Sequence, residues 1–364
     1  MSTLFEPTKA GKLNLANRLV MAPMSRNRAT PAGVVTPLVA EYYAQRATAG
    51  LIIAEASQPS ALGQGYPCTP GLYTDEQIEA WATVTDAVHQ RGGSIFAQVM
   101  HAGRISHPDN TGGRTPVGPS AVKPAGGIFT PNGFQEFVTP RELTVAEIKE
   151  IVADHGAAAR RAIEGGFDGI ELHGHSGFLV HEFIGSNSNL RTDQYGGSVA
   201  NRIRLAVEIV GALAEAAGPE RVSVRIGPGF SLNDVVETDT EEHYAALLSE
   251  LDSIGVEYLH LLVGDVAGPV LASVRSQWDR TLIVNQEGSA GRSATDVLEG
   301  ATVAVDNGAD LVSIGAAFLA NPDLVRRLRI GAELNTPIVE HFYGGTEVGY
   351  TDYPELDAGL DAAA

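Results

Sequence analysis

The chain has 364 residues and one cysteine, Cys68, so no intrachain disulfide can form, which fits a reducing compartment. Basic side chains are scarce: 25 Lys and Arg stand against 44 Asp and Glu, a formal net charge of -19. That balance argues against nucleic acid and anionic membrane as partners, because phosphate binding needs clustered cations. No apolar run approaches the length of a membrane-spanning helix. Met1-Ser2-Thr3-Leu4-Phe5-Glu6 lacks a basic region followed by an apolar run, so no signal peptide is read and a cytoplasmic protein is expected. There is no HExxH and no paired-cysteine spacing, hence no indication of a metal site. No GxGxxG follows a strand, which argues against a Rossmann-type nucleotide site.

One local pattern recurs. Gly166-Phe167-Asp168-Gly169-Ile170-Glu171-Leu172-His173 ends a helical segment at Gly, passes an acid and enters a short apolar run. Gly255-Val256-Glu257-Tyr258-Leu259-His260-Leu261 and Gly308-Ala309-Asp310-Leu311-Val312-Ser313-Ile314-Gly315 do the same. Gly suits a helix C-terminus, and short apolar runs read as strands buried on both faces of a parallel sheet. About eight such runs are expected, at Arg18–Ala22, Leu51–Ala54, Ser94–Val99, Gly169–His173, Val222–Ile226, Tyr258–Leu262, Leu282–Asn285 and Leu311–Ile314. Amphipathic helices fill most of the gaps, among them Asp75–Gln90 and one opening at Thr144 with Glu147 three residues on, a capping box. The expected fold is α/β, a (β/α)8 TIM barrel occupying residues 1–364 as a single domain. Residues 103–143, rich in Gly and Pro and without helical period, are expected to form an excursion after strand three that lies over the barrel mouth and contains a short hairpin.

Active sites of such barrels lie at the C-terminal strand ends. Read there, the chain offers Ser25, Gln98, His173 and Arg225: a hydroxyl, an amide, an imidazole and a fixed cation. That set suits a planar heterocycle better than a metal. The loops after strands seven and eight hold Gly288 and Gly315, whose N–H groups suit an anion, although Gly is also common at turns.

With these residues in view, the chain resembles the old yellow enzyme family of flavin-dependent alkene reductases over nearly its full length. The resemblance rests on Asn17-Arg18 with Met21-Ala22-Pro23-Met24-Ser25-Arg26, Gly65-Tyr66, Gln98 with His101-Ala102-Gly103-Arg104, and Asp168 to His173. It rests further on Asn189-Leu190-Arg191-Thr192-Asp193-Gln194-Tyr195-Gly196-Gly197-Ser198, Asn321-Pro322-Asp323-Leu324 and Gly349-Tyr350-Thr351-Asp352-Tyr353-Pro354. The resemblance implies noncovalent FMN. It places Ser25 near the C4 carbonyl, Gln98 on the pyrimidine edge, Arg225 at N1 and O2, Pro23, Met24 and Ala56 along the ring, and Gly288, Gly315 and Ala316 at the phosphate. It implies Tyr66, Met100 and Tyr350 around the substrate, and His173 bonding the carbonyl of an α,β-unsaturated small molecule reduced at the cost of NADPH or NADH.

Several positions depart from that pattern. Ser176 stands where the family has a second His or an Asn, and Phe178 where it has a Tyr proton donor. Ala316 replaces an Arg expected at the phosphate, Glu287 a Gly, and Met100 a common aromatic. A second reading therefore stays open: a repurposed barrel with weak or no FMN, acting as a non-redox isomerase or cyclase through His173. The substrate, the nicotinamide preference and the oligomeric state, a homo-oligomer included, are not legible.

Overall fold

The structure is a computed structural model that describes residues 3–286 and 291–357. Eight parallel strands close into a barrel: β1 Leu19–Met21, β2 Leu51–Ser57, β3 Ile95–Val99, β4 Gly169–His173, β5 Val222–Ile226, β6 Tyr258–Val263, β7 Thr281–Gln286 and β8 Leu311–Ile314. The order around the barrel follows the sequence, with β8 pairing back onto β1. The helices α1 Pro37–Gln45, α2 Asp75–His89, α3 Val145–Glu164, α4 Arg204–Ala217, α5 Thr240–Ile254, α6 Pro269–Gln277, α7 Ala294–Asp306 and α8 Leu324–Ile330 lie between and after the strands. Capping boxes open α2 at Thr74, α3 at Thr144 and α7 at Ser293, each satisfying N–H groups that a helix start leaves orphaned. No described helix is long and apolar enough to cross a membrane.

The inside of the barrel is built in two tiers. Val20, Leu51, Ile53, Phe96, Tyr258, Ile283 and Leu311 form one buried apolar cluster in the lower tier. Ala10 and Leu15, from a hairpin of Thr8–Ala10 and Leu13–Leu15, belong to the same cluster and close the bottom. The Tyr258 hydroxyl donates to the Ala10 carbonyl at 2.7 Å, fastening hairpin to barrel. Register then stacks polar side chains above this tier. Glu171 lies level with Gln98 and Ser223, and Arg225 lies level with His173 and His260. Side chains two apart on a strand share a face, so Glu171 and His173 both point inward.

The excursion between β3 and α3 carries a hairpin of Gly127–Thr130 and Gly133–Glu136, and Val117–Gly118 pairs with Arg141–Glu142 at its base. Arg191 fixes that base by donating to the carbonyls of Pro119 at 2.9 Å and Leu143 at 2.6 Å. Arg104 donates to the Asp234 carbonyl at 2.6 Å.

Candidate active site

The upper tier is one connected network. Gln98 Nε2 donates to Glu171 Oε1 at 2.8 Å, and Ser223 Oγ donates to Glu171 Oε2 at 2.8 Å. His260 lies with Nδ1 2.9 Å from Glu171 Oε2 and Nε2 2.7 Å from Ser313 Oγ. Arg225 donates from Nε to His175 Nε2 at 2.9 Å and from Nη2 to Asn285 Oδ1 at 2.8 Å, and its Nη1 lies 3.2 Å from His260 Nε2. Burial alone would push the Glu171 carboxyl up, but His260 and the Arg225 charge hold it below its ordinary range. Burial and then the Arg225 charge push His260 down to about 4, so its ring is neutral. Burial lowers the Arg225 guanidinium to about 10, which leaves it charged at neutral pH. The tier therefore presents one cation and one carboxylate among neutral donors, with N–H groups on Arg225 still free for a ligand.

Gln98 has turned its amide nitrogen to Glu171, so its carbonyl oxygen remains as an acceptor. Ala56 sits beside Gln98 because a bulge in β2 shifts the register between Ile53 and Ala56. The same bulge carries Glu55 out of the interior, where it accepts from the Arg26 N–H at 3.0 Å while its own N–H donates to the Tyr43 hydroxyl. Burial raises the Glu55 carboxyl to about 7. Pro23, Met24 and Ser25 follow β1 as half-buried residues at the same end of the barrel.

His173 ends β4, half-buried, and its Nδ1 is a buried polar atom with no partner. Burial, with the Arg225 charge behind it, pushes this imidazole down to about 3, so it is neutral at working pH. Its ring stacks on His175 at 4.5 Å and meets Phe178 edge-on at 5.1 Å. Both nitrogens of His175 are engaged within the protein, by Arg225 and by Ser176. Tyr66, Met100, Ala56 and Phe178 join Ile128 and Phe137 of the excursion in one apolar cluster. Burial raises the Tyr66 hydroxyl to about 12, keeping it a hydrogen-bond donor.

Two expectations fare differently. Tyr350 has no exposed surface: its ring stacks on Tyr42 at 4.0 Å, with the Arg26 and Arg28 guanidinium groups over it. Here it is packed in the core rather than along the rim, because two cations and a parallel ring take up its faces. Gly288 and Glu287 lie outside the described residues. Gly315 and Ala316 are half-exposed where β8 passes into a short helix, Ala316–Ala320. Beside that helix runs a cleft lined by Arg292, Ser293, Ala294, Ala317 and Asn321.

The sequence reading left out Glu171, His260, Asn285 and Arg292. Glu171 was signalled by its place two residues before His173, and His260 by its position in the equivalent strand of the repeat. Arg292 follows a strand end by six residues and carried no such signal.

Fold and site together define a flavin-dependent oxidoreductase barrel. The model of the NADH:flavin oxidoreductase / NADH oxidase family matches residues 3–335, and the chain belongs to that family. It is 40% identical to 12-oxophytodienoate reductase 1 of Oryza sativa subsp. japonica, covering 97% of this chain and 93% of the relative. It is 39% identical to a probable flavin mononucleotide-dependent alkene reductase of Leishmania infantum, over 97% of this chain and 98% of the relative. Among solved structures, morphinone reductase in complex with tetrahydroNAD superposes with a TM-score of 0.90 at 43% identity, over 99% of each chain.

The residues present fit FMN. A flavin's pyrimidine edge alternates C=O and N–H groups, and the upper tier offers the Gln98 carbonyl, the Arg225 N–H groups and the half-buried Ser25 hydroxyl.

Proposed function

We propose that this protein reduces α,β-unsaturated carbonyl compounds, taking hydride from NADPH or NADH by way of FMN. When bound, FMN supplies the two-electron chemistry that links nicotinamide to alkene. Gln98, Ser25 and Arg225 hold its ring, with Pro23, Met24 and Ala56 along it. Arg225 places a buried cation where negative charge gathers on the pyrimidine side, an effect strongest in a site shut off from water. Neutral His173 donates a hydrogen bond to the substrate carbonyl, drawing electron density from the alkene. Tyr66, Met100 and Phe178 surround the carbon skeleton, and residues 103–143 cover it through Ile128 and Phe137. Gly315 and Ala316 lie toward the phosphate, and Arg292, in the cleft beside Ala317, brings a positive charge to the region where Ala316 has none.

The observation that carries this reading is the polar tier. A carboxylate, a guanidinium and an amide are all buried in the barrel, and His173 keeps an unpartnered ring nitrogen while its ring meets Phe178 of the apolar cluster. The purified protein is expected to be yellow, to release FMN on denaturation, and to consume NADPH or NADH anaerobically with a simple cyclic enone. A protein that stays colourless after incubation with FMN would instead support the isomerase or cyclase reading.

A further inference from the structure

An arginine can only donate hydrogen bonds. The Nε–H of Arg225 lies 2.9 Å from His175 Nε2, so that nitrogen must present a lone pair. A protonated His175 would set N–H against N–H at the same contact. Burial, together with His173 and Arg225 nearby, also holds the ring well below its ordinary pKa. The single ring proton therefore sits on Nδ1, which lies 2.6 Å from Ser176 Oγ. The hydroxyl oxygen accepts there, and its own hydrogen is left over. Among the described residues Ser176 Oγ has no second partner.

The backbone holds this hydroxyl in place. Ser176 at φ +60° and Gly177 at φ +78° are both left-handed, a rare setting for a side chain other than Gly or Asn. Gly177 N–H donates to His181 Nδ1 at 2.9 Å, and Asn233 Nδ2 donates to the Ser176 carbonyl at 2.8 Å. The turn is thus held from both sides, next to the His173 ring that stacks on His175.

We propose that His175 is a positioning residue: locked as its Nδ1–H form by Arg225, it makes Ser176 a one-way hydrogen-bond donor to the substrate carbonyl and closes this route to net proton transfer. The proposal rests on the enone reading above. If Ser176 released its proton, His175 would have to replace it from Nδ1 and become an imidazolate, with only the Arg225 N–H behind it. The α carbon is therefore protonated by water. Hydride arrives at the β carbon with its electron pair, the C=C pair moves to the α carbon, and a water O–H bond breaks to give its proton there. The hydroxide left behind is neutralised by solvent.

Long-range ¹H–¹⁵N spectra of ¹⁵N-histidine-labelled protein read the tautomer directly, with His175→Asn assigning the signal. Nδ1 is expected to be protonated and Nε2 bare; a protonated Nε2 overturns the lock. In steady-state enone reduction, Ser176→Ala and His175→Leu are each expected to lower kcat/KM about tenfold, the scale of one neutral hydrogen bond. The double variant should lose no more than either single one. His175→Asn keeps an N–H at the Nδ1 position and should recover to within about threefold of the wild type. Equal losses in the Asn and Leu variants overturn the role of that N–H. A wild type that reduces no enone rejects the functional reading and leaves the spectra to judge the lock by themselves.

Discussion

Phe178 lacks the hydroxyl whose presence would be felt most at this site. Its ring stands 5.1 Å from His173 and is nearly enclosed by the apolar cluster. Phe178→Tyr adds one oxygen with little change in ring position. A positioned acid contributes about 10²- to 10⁴-fold, and part of that gain is expected as at least a ~10-fold rise in kcat on a simple enone. Rapid-mixing turnover measurements test this; an unchanged kcat would mean that proton delivery is not limiting. Glu55 gives a second expectation at this scale. Burial raises its carboxyl to about 7 in the folded chain, whereas an unfolded chain releases that proton near the ordinary value of 4.5. Between those values unfolding sheds a proton, so the stability contribution is full below about pH 4.5 and is lost as pH rises through about 7. Glu55→Gln removes that dependence. Relative to the wild type, the variant should gain about 3 kcal/mol between pH 4.5 and pH 8, read from urea unfolding at both pH values.

Elements set where these side chains stand. The excursion starts at Gly103, whose φ is +64°, and a Cβ there would meet the Glu182 carboxylate. Glu182 Oε1 in turn accepts the Arg104 N–H at 2.7 Å. Gly103→Ala is expected to cost roughly 1–3 kcal/mol and to detach the start of the excursion. Limited proteolysis should then cut within residues 103–143 faster than in the wild type, while the barrel fragments persist. Element boundaries also show how far the sequence could be read. The strand positions were legible because an apolar run after Gly and an acid has one common structural meaning in a parallel barrel. Helices α1 and α6 were missed although each starts with proline at its first turn, a usable signal that short apolar stretches around it obscured. The β2 bulge was not legible. Nothing in Leu51–Ser57 distinguishes a run of buried residues that pairs evenly from one that skips a position. Tyr350 was read from its motif alone, and motif spacing does not report which ring or cation will occupy a tyrosine's faces.

Across the whole molecule, the net charge of -19 is spread over a surface that must be held together against its own repulsion. Raising ionic strength from about 10 mM to 150 mM shortens the screening length from about 30 Å to 8 Å. The midpoint of thermal unfolding is expected to rise over that range, and scanning calorimetry measures it. A fall would show that attractive surface pairs outweigh the repulsion. Site residues from all eight strands or the turns behind them converge at one end, so the class of chemistry could be read from strand ends alone. The direction of each hydrogen bond could not, because it depends on partners brought in from distant strands.

The filled barrel has a consequence for the product. Side chains occupy the interior from the hairpin to the polar tier, so a flat ring resting on that tier is open to a second molecule from the outer side alone. An alkene carbon reached from one side in this way is converted to a single mirror-image form, and the handedness of the product records which face of the substrate lay down.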